Sequence, residues 1–249
     1  MGSKDKLKRF AENETFSCLL QPATTELLGR DHPMKGRWNS DFFHNDNPII
    51  LELGCGKGEY TVALSSLRPD CNFIGIDIKG ARLWKGAKYA QENNIPNIAF
   101  IRTRIEFVGS LFAAGEISEI WITFADPQEK KARKRLTHPI FLSRYESFLR
   151  PGGIIHLKTD SRLLHRYTFE VANANSMTVL CRDEDIYSHG PLEPPLSIKT
   201  FYEASFLAKG IPITYLSFML DGHRPLVEPD WDQTPFEQSY KTDTRNTIF

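Results

Sequence analysis

Apolar or β-branched runs alternate along this chain with stretches of helical period, a pattern that predicts successive βα units around a mostly parallel sheet. Seven strands are expected, near Ile49 to Leu53, Asn72 to Asp77, Ile98 to Thr103, Glu119 to Phe124, Ile154 to Thr159, Thr178 to Arg182 and Ile213 to Leu220. Helices are expected between and beside them, near Glu59 to Leu67, Ala81 to Asn93, Phe107 to Ala113, Pro139 to Leu149, Ser161 to Ala174 and Thr200 to Lys209. Arg150-Pro151-Gly152-Gly153 reads as a helix stop and turn, because proline cannot continue a helix and glycine supplies the reversal. Gly190 to Pro195 reads as a proline-rich loop. The expected organisation is an N-terminal arm and lead-in over 1–47, one α/β domain over 48–220, and an irregular extension over 221–249.

The strand Ile49 to Leu53 runs into Gly54-Cys55-Gly56-Lys57-Gly58 and then a helix start. Glycines at Gly54, Gly56 and Gly58 permit a tight turn and let a ligand approach the backbone where a Cβ would clash. Their spacing lacks the G-x-G-x-x-G register that seats a dinucleotide pyrophosphate. Glu52, just before the loop, repels phosphate and suits a cation. The cationic nucleoside cofactor that fits is S-adenosylmethionine. A buried hydrogen-bond hub is the structural alternative for Glu52, since a carboxylate inside a strand end needs a partner. Asp77 ends the second strand, about 20 residues beyond the loop, where an acid accepts from both ribose hydroxyls. An acid there can also cap the next helix, but Lys79-Gly80 delays that helix and favours the ribose role.

At 249 residues the chain has room for one α/β domain with appendages. Lys plus Arg equals Asp plus Glu at 31 each, so binding to nucleic acid has to come from a local patch. Cys18, Cys55, Cys71 and Cys181 make no C-x-x-C pair, which suggests neither a zinc site nor a disulfide framework and fits a reducing, cytoplasmic compartment. His138, His156, His165 and His189 have no metal-ligand spacing, so no metal is expected. No apolar run approaches the roughly 18 residues of a membrane span.

The local patch follows the fourth strand. Trp121-Ile122-Thr123-Phe124-Ala125-Asp126 delivers an acid, and Lys130, Lys131, Arg133, Lys134 and Arg135 come directly after it. Guanine shows N1–H and an exocyclic amine along one edge, two donors that a carboxylate such as Asp126 matches. The basic residues are placed to hold backbone phosphates at the carboxyl ends of the strands, where open parallel sheets bind ligands.

With these residues in view, the chain resembles the tRNA (guanine-N7)-methyltransferases of the bacterial single-subunit type, over roughly residues 10–220. The resemblance is carried by Arg9-Phe10-Ala11-Glu12-Asn13, Pro48 to Gly58, Gly75-Ile76-Asp77, Thr123 to Arg135, Leu157-Lys158-Thr159-Asp160 and Thr200-Phe201-Tyr202-Glu203. It implies a Rossmann-like S-adenosylmethionine-dependent methyltransferase fold, with a seven-stranded, mostly parallel sheet and helices on both faces. It implies methyl transfer to N7 of a guanine in the variable loop of tRNA. Asp126 takes the family's catalytic position, Glu52 and Asp77 its cofactor acids, and Lys130, Asp160 and Thr200 to Glu203 its substrate contacts. Where many relatives place an acid near the adenine this chain has Arg102-Thr103-Arg104, and Thr103 takes the cofactor position. Gln128 stands in place of the family's tryptophan, Ala125 in place of a proline, and Phe201 in place of a basic residue. Read from the residues alone, Asp160 and Glu203 fit helix capping and surface charge equally well.

Methylation at N7 uses a free lone pair and needs no strong base, so positioning and electrostatics would carry the catalysis. Two other readings stay open: a methyltransferase of another RNA or a small molecule, and a non-catalytic RNA-binding relative. The chain is compatible with a monomer or a homodimer.

Overall fold

The computed structural model describes residues 3–220 and 225–236. The remainder of the expected C-terminal extension, 221–224 and 237–249, and the first two residues lie outside the described residues. Among the described residues eight strands form one sheet: β1 (Leu19–Leu20), β2 (Ile49–Leu53), β3 (Asn72–Asp77), β4 (Ile98–Arg102), β5 (Ile117–Thr123), β6 (Leu149–Thr159), β7 (Val179–Asp183) and β8 (Thr214–Met219). Their spatial order is β1-β4-β3-β2-β5-β6-β8-β7, parallel except for β8, which runs antiparallel to both β6 and β7. Chain progression reverses between β2 and β5, and that switch point opens the ligand crevice of such sheets.

The sheet exceeds the seven strands expected because Leu19–Leu20 pairs with β4, a two-residue strand too short to show a period in the sequence. β6 starts at Leu149, not Ile154. The turn expected at Arg150 to Gly153 lies within this strand, opposite a register shift between Ile117 and Glu119. The helix expected at Phe107 to Ala113 is a 3₁₀ segment, Ile105–Ser110.

Helices α3 (Glu59–Leu67) and α4 (Gly80–Glu92) cover one face of the sheet, burying Ile50, Phe73, Phe100 and Trp121. On the other face α5 (Pro139–Glu146) and α6 (Arg162–Ala174) bury Leu51, Leu53, Ile74, Ile76, Ile120, Ile122 and Leu157. Both faces of β2 are buried, as a central parallel strand requires. Ahead of the sheet, α1 (Ser3–Asn13) packs on α4: Arg9 stacks 4.4 Å over Trp84, Glu12 accepts from Trp84 Nε1 at 2.7 Å, and Asn13 Nδ2 donates to the Gly80 carbonyl at 2.9 Å. Two short turns follow, α2 (Thr24–Leu27) and a π-helical segment, Trp38–Phe43.

Gly58 ends the glycine loop where α3, α4 and β4 meet. Its φ is +70°, and a Cβ there would lie 2.6 Å from Cε1 of the buried Phe100 ring. Gly58→Ala is therefore expected to lose roughly 2–4 kcal/mol of stability from backbone strain and overpacking. Urea denaturation of the two proteins measures the difference, and a loss below about 0.5 kcal/mol would mean the junction relaxes freely.

Candidate active site

A cavity of about 590 Å³ opens at the carboxyl ends of β2 to β5, within the range of small-molecule sites. Gly54, Asp77, Thr103, Phe124, Asp126 and Gln128 contribute to its wall. The glycine loop reaches it through a fixed set of backbone bonds. Gly54 N and Cys55 N both donate to the Ile76 carbonyl, at 2.8 and 3.0 Å, and Gly56 N donates to Asp77 Oδ2 at 3.0 Å. Asp77 Oδ1 accepts from Lys79 N at 2.7 Å, so this carboxylate shapes the loop and the start of α4 while facing the cavity. Gly54, Gly56 and Gly58 all have positive φ, the conformation that admits this turn.

Glu52 does not line the cavity. Its side chain is 3% exposed on the α3 face, where one carboxyl oxygen accepts from Thr61 Oγ1 and the other from Thr123 Oγ1 at 2.5 Å. Burial pushes its pKa up to about 7, against the opposing effect of the two hydroxyls, and nearby Asp77 adds to the rise. The geometry is that of a hub joining β2, α3 and the end of β5, the alternative that the sequence also allowed.

Beyond Thr123 the chain enters the Asp126 loop through two residues in the left-handed region, Phe124 at φ +51° and Gln128 at φ +49°. Neither is glycine, so the loop stores strain that its surroundings must hold. Asp126 Oδ1 accepts from Gln128 N at 2.9 Å, and Phe124 N donates to the Lys158 carbonyl at 2.9 Å. Arg135 supplies the rest. Its Nε donates to the Pro127 carbonyl at 3.0 Å, and its guanidinium lies 4.3 Å from the Tyr167 ring centre. Fully buried, Arg135 supports the loop instead of holding phosphate, which corrects the expectation for the last member of the basic run.

Arg133 and Lys134 from that run do reach the cavity, joined by Lys79, Arg82, Arg104 and Arg144. Among the described residues three acids share the wall, Asp77, Glu106 and Asp126, so the rim they form with the basic side chains is net positive in a chain of balanced charge. Lys130 is exposed on the same loop but outside the cavity wall. Asp160 is half-buried at the end of β6, and Ser161, not Asp160, caps α6 by accepting from Leu164 N at 3.1 Å. Thr200 and Glu203 form the capping box of α7 (Phe201–Leu207), and both are buried. Phe201 and Tyr202 are 62% and 40% exposed, with Lys57 Nζ 4.1 Å from the Phe201 ring centre. The structure thus brings Gly54, Asp77, Thr103 and Asp126 to one cavity and leaves Glu52, Gly56, Gly58, Lys130, Asp160 and the 200–203 segment outside its wall. Arg82 and Arg144 carry no signal in the sequence, because each sits in an ordinary helical context. Among the described residues no cluster of His, Cys, Asp and Glu is placed to hold a metal, and no helix is long and apolar enough to cross a membrane.

Residues 46–216 match the protein family described as "Putative methyltransferase". The tRNA (guanine-N(7)-)-methyltransferase of Christiangramia forsetii is 52% identical over 224 residues, covering 88% of this chain and 100% of that protein. The chain belongs to the tRNA (guanine-N(7)-)-methyltransferase family. Another relative of the same name, from Porphyromonas gingivalis, is 50% identical over 237 residues, 94% of this chain and 96% of that one. Among solved structures, the 16S rRNA methyltransferase KamB superposes with a TM-score of 0.55 at 14% identity, covering 73% of this chain and 92% of its own. A 16S rRNA (adenine(1408)-N(1))-methyltransferase variant from Catenulisporales acidiphilia, solved with S-adenosylmethionine, gives 0.54 at 16% identity, covering 76% and 92%. These two likenesses show that the chain shares its fold with these two methyltransferases.

The raised pKa of Glu52 has a measurable sign. A carboxyl whose folded pKa of about 7 exceeds its unfolded value of 4.5 binds more protons in the folded state across that interval, so its contribution falls as pH rises through it. Glu52→Gln keeps an acceptor and a donor for the two threonine hydroxyls without titrating. Relative to the parent protein it is expected to gain up to about 3 kcal/mol between the two pH limits. Denaturant unfolding at about pH 5 and about pH 8 reads this shift, and a difference independent of pH would place the Glu52 titration outside the interval.

Proposed function

We propose that this protein transfers the methyl group of S-adenosylmethionine to N7 of a guanine in the variable loop of tRNA. One observation carries the reading: Asp77 and Asp126, delivered by different strands on either side of β2, face the same cavity beneath a rim of basic side chains. The relatives that cover nearly the whole chain carry the corresponding name.

The cavity suits the cofactor on its own chemistry. It has the volume of a small-molecule site, backbone at Gly54 that a ligand can approach closely, and two carboxylates for a ligand that carries ribose hydroxyls and positive charge. Asp77 uses one lone pair on each oxygen for Gly56 N and Lys79 N, which leaves acceptor capacity for the ribose. Thr103, at the end of β4, closes the adenine side. Glu52 acts from behind, holding the strand ends that carry Gly54 and Thr123. Gly56 and Gly58 give the loop its course. S-adenosylmethionine, when bound, supplies a methyl group on a positively charged sulfur that departs as a neutral thioether.

Asp126 does the substrate work. Its free oxygen accepts from the N1–H and amino edge of guanine, fixing the base so that N7 faces the methyl donor. As the base becomes positively charged, the Asp126 carboxylate favours that charge. No general base is required, because N7 carries no proton to remove. Arg133, Lys134 and Arg144 at the rim, with Lys130 farther out on the loop, meet phosphates of the RNA, and Asp160, at the end of β6, is a substrate contact beside them.

The protein incubated with labelled cofactor and unmodified tRNA is expected to yield labelled 7-methylguanosine on nucleoside analysis, and label in any other nucleoside would overturn the assignment. Asp126→Asn, which retains the acceptor for Gln128 N, is expected to lower kcat about 100-fold or more while the cofactor KM changes less than about threefold. Asp77→Ala is expected to raise the cofactor KM about tenfold or more. Equal losses of turnover and cofactor affinity in both variants would contradict this division of roles.

A further inference from the structure

Lys158 and Glu203 are both 0% exposed, and their charged atoms lie 2.7 Å apart. Neither lines the cavity. Lys158, on β6, directs its three N–H groups to three acceptors: Glu203 Oε1 and the carbonyls of Leu196 and Ile198, both at 2.8 Å. Glu203 Oε1 also accepts from Tyr187 OH at 2.8 Å, and Oε2 accepts from Thr200 N at 3.3 Å. Both charges are therefore spent on residues 187–203, a segment that crosses the sheet face beside α3.

The same segment is tied to the first turn of α3, immediately after the glycine loop. Tyr60 OH donates to the Pro195 carbonyl at 2.8 Å, and Glu59 Oε2 accepts from Phe201 N at 2.9 Å. Its outer surface carries Phe201 and Tyr202, whose rings are approached by Lys57 at 4.1 and 5.8 Å, and by Arg82, a cavity residue, at 5.9 Å from Tyr202. Exposed aromatic rings flanked by cations are a sequence-tolerant platform for stacked nucleobases beside phosphates. A buried ion pair is seldom the most stable occupant of its site, since matched apolar residues often do as well. What this pair supplies is a fixed position for a segment whose apolar side chains, Tyr187, Leu192, Leu196 and Ile198, rest on the core only partly buried.

We propose that Lys158 and Glu203 form a latch of positioning residues that fixes the 187–203 segment, so that Phe201 and Tyr202 stand beside the cavity as a stacking platform for a nucleotide flanking the target guanine. Glu203 then acts through the segment and does not touch RNA. The inference rests on the RNA methyltransferase reading above.

A double-mutant cycle tests it. Lys158→Met, Glu203→Gln and the double variant are assayed with tRNA varied at saturating cofactor and with cofactor varied at saturating tRNA. Each single variant is expected to raise the tRNA KM about tenfold while leaving the cofactor KM within about twofold, with the double variant no worse than the worse single one. A tRNA KM raised by Glu203→Gln but not by Lys158→Met would make Glu203 a direct RNA contact and overturn the latch. Loss of thermal stability with both KM values unchanged would reduce the pair to a structural role and overturn it equally. Should a single variant fail to fold, Tyr60→Phe removes only the hydroxyl bond to Pro195. It is expected to raise the tRNA KM about threefold without moving the cofactor KM, and an unchanged tRNA KM would overturn the proposal. The parent protein separates the two readings: no 7-methylguanosine from it ends the methyltransferase reading, whereas normal yield with no split among the variants ends the latch alone.

Discussion

The site depends on one buried carboxyl. Glu52 sits where the sheet reverses direction, and its two oxygens take hydroxyls from elements that arrive from opposite sides, Thr61 in α3 and Thr123 at the end of β5. Thr61 lies on the helix that leaves the glycine loop, and Thr123 is the last strand residue before the turn that carries Asp126. The glycine loop and the Asp126 loop are thus spaced by a single side chain. The desolvation that this burial costs is the reason the carboxyl's pKa rises to about 7.

From that hub outward, charged groups that elsewhere would face solvent are turned inward to hold backbone. Arg135 occupies carbonyls of the Asp126 loop, Lys158 occupies carbonyls of the segment before α7, and Asp77 occupies amides of the glycine loop. Each support lies just behind a loop at or beside the cavity. Such loops contain residues in unfavourable backbone regions, Phe124 and Gln128 among them, and fixed charges with satisfied hydrogen bonds keep them from relaxing.

Much of this was legible in the chain itself. Strands with continuous apolar runs and helices with amphipathic period identify themselves locally, and acids at strand ends point to the crevice because the topology of parallel sheets puts it there. What escaped is non-local. Leu19–Leu20 is a strand only because β4 offers an edge, and Pro151 to Gly153 stay within a strand only because β5 shifts register opposite them. Arg135 and Lys158 look like surface cations until their partners arrive, from the loop just before the first and from 38 to 45 residues beyond the second. Glu52 was ambiguous for the opposite reason. Its neighbourhood was readable, but whether it faced ligand or threonine depended on which side of β2 it occupied.

The clasp around Arg135 bears on the order in which the parts of the protein come together. Arg135 also donates to Gln233 Oε1 at 3.3 Å, across 98 positions of sequence, and Tyr167, beneath its guanidinium, bonds Glu228 at 2.9 and 3.0 Å. Both outer members of this brace lie beyond the last strand, so every strand of the sheet can pair while the brace is still missing. The turn bearing Asp126 is thus secured last by a stretch of chain that adds nothing to the sheet itself, and architecture comes before competence.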